Sequence, residues 1–334
     1  MTKQSSNTTQ TTTTTKPKEA KVTAIPKDAQ KGVWKDISER KLANLIPNKN
    51  KFGSDCYVAR EFNGILDLEI LGHAFRERHN VLLYGPTGSA KTSLVMAFAA
   101  NNNLPVAQVP CNGAAEPRNI IGSWKPQSDK TLDFVPGSAA LVARYGGIIY
   151  LDEVNFMPSK IAAFIHGWLD KRRMVVIPDA EGSSFPSEYE MSPDTMIVAA
   201  YNPDYHGTRP LNQAFKNRFK YKLAYPYNGE VEKELVVSGR LLELADSLRK
   251  QVDSGNLSTP ISTNMLMEFE ETVENIGFDF ACTNFVSAFD LDESQVVREV
   301  LTTSCEGIYD DLVGDDKFAD SDWYQGATAK QTSN

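Results

Sequence analysis

From residue 57 to residue 227 the chain alternates short apolar runs with stretches in which apolar residues return at helical spacing. The runs at 81–84, 106–110, 147–151 and 196–201 read as strands. Ser93-Leu94-Val95-Met96-Ala97-Phe98-Ala99-Ala100 is compatible with a helix, and 158–170 sets Ile161, Phe164, Ile165, Trp168 and Leu169 on one helical face. Such alternation predicts a layered α/β domain around a mainly parallel sheet. Two further strand-like runs, 174–178 and 188–191, flank a connection rich in Gly, Ser and Pro and read as a β-hairpin. Beyond Pro226 the strand pattern stops. Residues 230–252, 263–275 and 293–304 read as helices, separated by Asp253-Ser254-Gly255 and Ile276-Gly277, which predicts a small all-helical second domain. The expected division is a polar, disordered tail over 1–32, an α/β domain over 33–227, a helical domain over 228–312 and a loose tail over 313–334. In that last tail Phe318, Trp323 and Tyr324 could dock.

Polar residues with a chemical role sit directly behind the apolar runs. Val81-Leu82-Leu83-Tyr84 leads into Gly85-Pro86-Thr87-Gly88-Ser89-Ala90-Lys91-Thr92, the spacing of a phosphate-cradling loop with Ala90 at the second signature glycine. Between a strand and a helix, such a loop turns backbone N–H groups toward a nucleotide's phosphates. Lys91 would place a charge on the β- and γ-phosphates, and the Thr92 hydroxyl would be a ligand to Mg²⁺. A glycine-rich turn before a helix is common, so the reading needs partners elsewhere in the chain.

Ile148-Ile149-Tyr150-Leu151 ends in Asp152 and Glu153, the former suited to hold Mg²⁺ and the latter to activate the attacking water. Ile197-Val198-Ala199-Ala200-Tyr201 ends in Asn202, whose amide can orient that water. Arg218, just past the last of these strands, is a candidate arginine finger reaching the nucleotide of a neighbouring copy. Each has a plainer reading by itself: an acidic turn, a turn starter, a surface charge.

The bulk numbers narrow the class. A hydrophobic fraction of 41% and a charged fraction of 23% are those of a soluble globular protein. The net charge of −8 opposes general affinity for nucleic-acid backbones, so nucleic acid is not expected as partner. No apolar run approaches the ~20 residues of a membrane span, and the N-terminus lacks the apolar core of a signal peptide. The cysteines Cys56, Cys111, Cys282 and Cys305 form no paired motif, and His73, His79, His166 and His206 make no metal cluster. The expected location is cytoplasmic.

In order and spacing these elements resemble the AAA+ ATPases, specifically the MoxR-like group with the CbbQ/NorQ and gas-vesicle GvpN proteins. The resemblance runs from about Tyr57 to Leu301. It rests on Gly85 to Thr92, on Asn119-Ile120-Ile121-Gly122-Ser123 leading into Phe134-Val135-Pro136-Gly137, and on Asp152-Glu153-Val154-Asn155. Ala200-Tyr201-Asn202-Pro203 resembles the sensor-1 strand, and Asn217-Arg218-Phe219 the finger motif. It implies a P-loop NTPase (AAA+) core with a helical lid, ATP and Mg²⁺ as ligands, and a homo-oligomeric, six-membered ring that remodels a partner. It also implies a von Willebrand A-domain partner; its D-x-S-x-S motif does not occur here, so that module is expected as a separate polypeptide. One departure stands out: in Ile261-Ser262-Thr263-Asn264, Asn264 takes the place of a sensor-2 arginine and cannot supply its charge. Two alternatives to the ATPase are an ATP-binding scaffold with little hydrolysis and a nucleic-acid motor of the same superfamily.

Overall fold

The computed structural model describes residues 34–112, 115–127, 131–203 and 211–314, with 321 and 323. The stretch expected to be a polar tail, 1–32, lies outside them, as does most of 313–334. Helices α1 (Trp34–Ala43) and α2 (Lys49–Phe52) lead to a small ribbon, β1 (Glu61–Phe62) with β2 (Ile65–Leu66), and to α3 (Asp67–Arg76). There follow β3 (Val81–Tyr84), α4 (Lys91–Asn102), β4 (Val106–Pro110) and α5 (Pro117–Ile120). A hairpin of β5 (Gly122–Pro126) and β6 (Leu132–Pro136) precedes α6 (Ser138–Tyr145), β7 (Gly147–Asp152) and α7 (Ser159–Leu169). A second hairpin, β8 (Met174–Val176) with β9 (Glu188–Glu190), leads to β10 (Thr195–Tyr201), α8 (Gln213–Lys216) and β11 (Tyr221–Ala224).

The main sheet has five strands in the order β11-β3-β10-β7-β4, every neighbouring pair parallel. All the carboxyl ends therefore open on one edge. Successive side chains on a strand face opposite ways, and the burial follows that rule. Val81, Leu83, Ile148, Tyr150, Val198 and Ala200 join the core beneath α3 and α4, whereas Leu82, Ile149, Leu151, Ile197 and Ala199 join the core beneath α6 and α7. A sheet covered on both faces has no polar face, which is why its strands read as unbroken apolar runs.

Among the described residues five helices follow: α9 (Gly229–Leu235), α10 (Gly239–Asp253), α11 (Thr263–Asn275), α12 (Phe278–Ser287) and α13 (Leu291–Leu312). They bury a third core that includes Leu241, Leu266, Phe285 and Leu301. The sequence suggests one helix over 230–252; the structure has two. Val236 is extended and the Ser238 side chain caps α10 at Leu241 N, while Glu270 accepts from the backbone N–H groups of Val237 and Ser238 at 3.0 and 2.8 Å. Caps satisfy the free amides of a new helix start, and here they fix the break. Trp323 packs into this helical core with Arg298 over its ring at 4.7 Å. Among the described residues no helix is long and apolar enough to cross a membrane.

Candidate functional site

The loop between β3 and α4 is pressed close to its surroundings at two glycines. A Cβ on Gly85 would fall 2.1 Å from the Tyr225 carbonyl oxygen, and one on Gly88, at φ +68°, would fall 2.4 Å from Ser262 Cβ. Ser262 caps helix α11, so the helical region reaches the loop itself. Ala90 stands in the left-handed region at φ 66°, the conformation that the expected glycine adopts freely and that costs a Cβ-bearing residue about 1 kcal/mol. Helix α4 begins at Lys91, so its first amides and dipole belong to this loop. Lys91 Nζ donates to the carbonyls of Gly85 (2.9 Å) and Pro86 (2.7 Å) and to Ser89 Oγ (3.2 Å). Burial pulls the Lys91 pKa down to about 8, with Asp152 opposing that shift and Arg60 adding to it.

The acidic strand end lies beside the loop. Tyr150 joins the two elements: its hydroxyl is 2.9 Å from Thr92 Oγ1 and donates to Asp152 Oδ1 at 3.2 Å. Burial, with Asp152 adding to it, pushes the Tyr150 phenol above its ordinary range, so it stays protonated and able to donate. Thr92 and Asp152 thus sit around one hydroxyl and offer two hard oxygen donors, the ligand type Mg²⁺ takes. Among the described residues there is no group of three His, Cys, Asp or Glu side chains that could hold a metal ion. A cation held here would thus keep water and phosphate oxygens as its other ligands, the usual habit of Mg²⁺. Glu153 follows at φ 56°, its side chain exposed and its N–H donating to Asp152 Oδ1 at 3.1 Å.

Asn202, at the end of β10, donates through Nδ2 to Thr87 Oγ1 at 3.1 Å, and its carbonyl accepts from Asn155 Nδ2 at 3.4 Å. Lys91, Thr92, Asp152 and Asn202 therefore meet at one edge of the sheet. Arg218 does not join them. Its carbonyl accepts from Asn80 Nδ2 at 3.4 Å, just ahead of β3, which places it at the amino edge. There it pairs with Asp170 at 3.0 Å and donates to the Ala214 carbonyl at 2.8 Å. Asn264 is exposed on the first turn of α11.

Several residues near the loop escaped the sequence. Tyr150 carried a signal, since a residue two before Asp152 on a strand shares its face. Tyr227, whose hydroxyl donates to the Thr87 carbonyl at 2.8 Å, carried none. Arg249 lies over the Tyr227 ring at 4.1 Å and holds Glu232 through both terminal nitrogens at 2.8 and 2.6 Å. A hollow of about 500 Å³ opens nearby, lined by Tyr57, Val58, Ala59, Glu234 and Leu235.

Parts of the chain are similar to known proteins. Residues 80–219 match the family model of the AAA domain (dynein-related subfamily). An uncharacterized protein of Staphylococcus haemolyticus is 29% identical over 199 residues, 55% of this chain and 73% of that protein. The uncharacterized protein YojN of Bacillus subtilis is 31% identical over 194 residues, 54% of this chain but only 62% of its own length. The crystal structure of a candidate ATPase from Cytophaga hutchinsonii aligns at TM-score 0.41 and 15% identity, covering 83% of this chain and 84% of that one. The sheet order, the loop behind β3 and the family match together make the core of this chain an AAA+ P-loop fold, followed by a helical C-terminal region.

Proposed function

We propose that this protein is a Mg²⁺-dependent ATPase of the MoxR-like kind, which assembles into a ring and remodels a partner protein. The observation that carries the reading is the chain of contacts Thr92–Tyr150–Asp152 beside Asn202–Thr87, which brings both metal-ligand candidates and the water-orienting amide to the phosphate loop. ATP would lie with its phosphates at the amino end of α4 and its base in the hollow between Val58, Ala59 and Leu235. Lys91 would turn from the loop carbonyls to the β- and γ-phosphates. Thr92 and Asp152 would hold Mg²⁺, which when bound neutralises charge on the phosphate oxygens. Glu153 would take the proton of a water as its oxygen bonds to the γ-phosphorus and the bond to the ADP oxygen breaks. Asn202 would orient that water, and Arg218 would act on the nucleotide of the adjacent copy.

The place of Arg218 at the opposite edge supports a role in trans, because it is out of reach of its own loop. The helical region would be the lid, its Ser262 already against Gly88. The resemblance to MoxR-like proteins supports a hexamer and a separate von Willebrand A-domain partner. The net charge of −8 favours a protein client over nucleic acid.

A second reading, an ATP-binding scaffold with little turnover, is favoured by Asn264 in place of a charged lid residue and by the left-handed Ala90. Steady-state phosphate release separates the two. The ATPase reading expects release that Lys91→Ala abolishes; equal release from both proteins, or none from either while ATP still binds, would reject it.

A further inference from the structure

None of the steps above uses the arginine buried behind the phosphate loop. Arg60 belongs to no motif, yet it is only 4% exposed. Its guanidinium donates to two backbone carbonyls: Ser89 O at 2.9 Å, and Pro226 O, where the core passes into the helical region. The guanidinium carbon lies 4.6 Å from the centre of the Tyr225 ring, and Nε has no partner. The backbone of Arg60 is fixed as well. Its N–H donates at 3.1 Å to Asp67, a fully buried carboxylate that also accepts from the hydroxyls of Tyr57 (2.6 Å) and Tyr225 (2.5 Å).

Ser89 O belongs to the peptide whose other end is Ala90 N–H. In a trans peptide these two groups point in opposite directions, so a donor that holds the carbonyl also aims the amide. Ala90 is the residue that needs help, because its methyl group disfavours the left-handed turn that glycine takes freely. Two carbonyls so placed suit a planar fork of donors; the point charge of a lysine serves them less well.

We propose that Arg60 is a positioning residue of the phosphate loop: its guanidinium fixes the Ser89–Ala90 peptide, ties it to the Pro226 carbonyl, and so holds the left-handed turn that presents the loop to phosphate. The inference rests on the nucleotide-binding reading of that loop. It makes Arg60 and Ala90 a coupled pair, in which the arginine compensates for the missing glycine.

The test is ADP binding by calorimetry on the full chain in four forms: unmodified, Arg60→Lys, Ala90→Gly and the double variant, each checked for folding by circular dichroism. Arg60→Lys should weaken ADP binding about tenfold, the scale of one lost charge-assisted hydrogen bond. In the Ala90→Gly background the same change should cost less than about threefold, because glycine keeps the turn without support. Equal losses in both backgrounds, or no loss in either, would overturn the inference and leave the nucleotide reading standing. Absence of ADP binding by the unmodified chain would overturn both. If Arg60→Lys alone does not fold, recovery of folding and ADP binding in the double variant supports the coupling, and failure of both overturns it.

Discussion

The α/β core and the helical region carry their polar groups in opposite ways. In the core, strain and unpaired groups accumulate. Among the described residues, all six non-glycine positions with positive φ lie there, Ala90 and Glu153 included. So do the five buried side-chain atoms without a partner, among them Arg60 Nε and Asn155 Oδ1. The helical region instead pairs its buried polar groups. Asn228, Ser238 and Ser262 cap their helices, Glu232 takes both arms of Arg249 and the Thr263 hydroxyl, and Glu293 accepts from the hydroxyls of Ser258 and Thr259. Strained backbone and unpaired groups cost stability and persist where a ligand must be met. Four of these positions, Arg60, Ala90, Glu153 and Asn155, gather at the phosphate loop and the acidic strand end, whereas Arg78, Asn103 and Arg173 lie elsewhere in the core.

That contrast can be broken most forcefully from the far edge of the sheet. Arg218→Ala should lower ATP turnover about 10³-fold, the scale of a lost arginine finger. Mixing it with Lys91→Ala should restore phosphate release, since each copy then supplies what its neighbour lacks. No recovery on mixing would remove the role in trans. In the helical region, Glu232→Ala would take the buried, two-armed carboxylate from Arg249, whose side chain is 15% exposed, and leave it only the exposed Asp246 at 3.6 Å. A loss of about 3 kcal/mol is expected from denaturant unfolding, the scale for one partner removed from a buried pair.

Smaller substitutions should move the two regions in opposite directions. Ala90→Gly relieves left-handed strain and should raise stability by about 1 kcal/mol. Ser238→Ala removes a helix cap and should lower it by about the same amount. Thermal unfolding of both, side by side, reads the two signs. The least effect is expected from pH. The folded pKa of Lys91, near 8, lies below that of an unfolded lysine. Below pH 8 the residue is charged in both states and the buried charge costs stability. As pH rises above 8 the folded protein binds fewer protons than the unfolded one, so this cost is relieved. Over the same window Lys91 loses the charge proposed to hold phosphate, so ATP affinity should fall several-fold in binding titrations between about pH 8 and 10.

Much of the core was legible because its strands are buried on both faces and leave apolar runs that end in Tyr84, Asp152 and Tyr201. The fifth strand, β11, was not. Its sequence Tyr-Lys-Leu-Ala alternates, and the burial does too, because this strand forms the sheet's edge. Helix α12 is legible only in part: Phe278, Ala281, Cys282, Phe285 and Val286 return at helical spacing, but aromatic and β-branched residues of modest helix propensity mask it. At the site, the phosphate loop, the acidic pair and Asn202 follow directly from local spacing. Arg60, Tyr227 and Arg249 do not, since their contacts span 29, 140 and 17 residues of sequence and depend on the folded arrangement alone.

Most directly, the account is tested by ATP binding and phosphate release of Glu153→Gln measured on the same sample. The amide keeps the shape of the acid but cannot take a proton. The account predicts ATP affinity within about twofold of the unmodified chain, and turnover reduced at least about 100-fold, the lower bound for a lost general base. Unchanged phosphate release, with ATP bound as before, would contradict it.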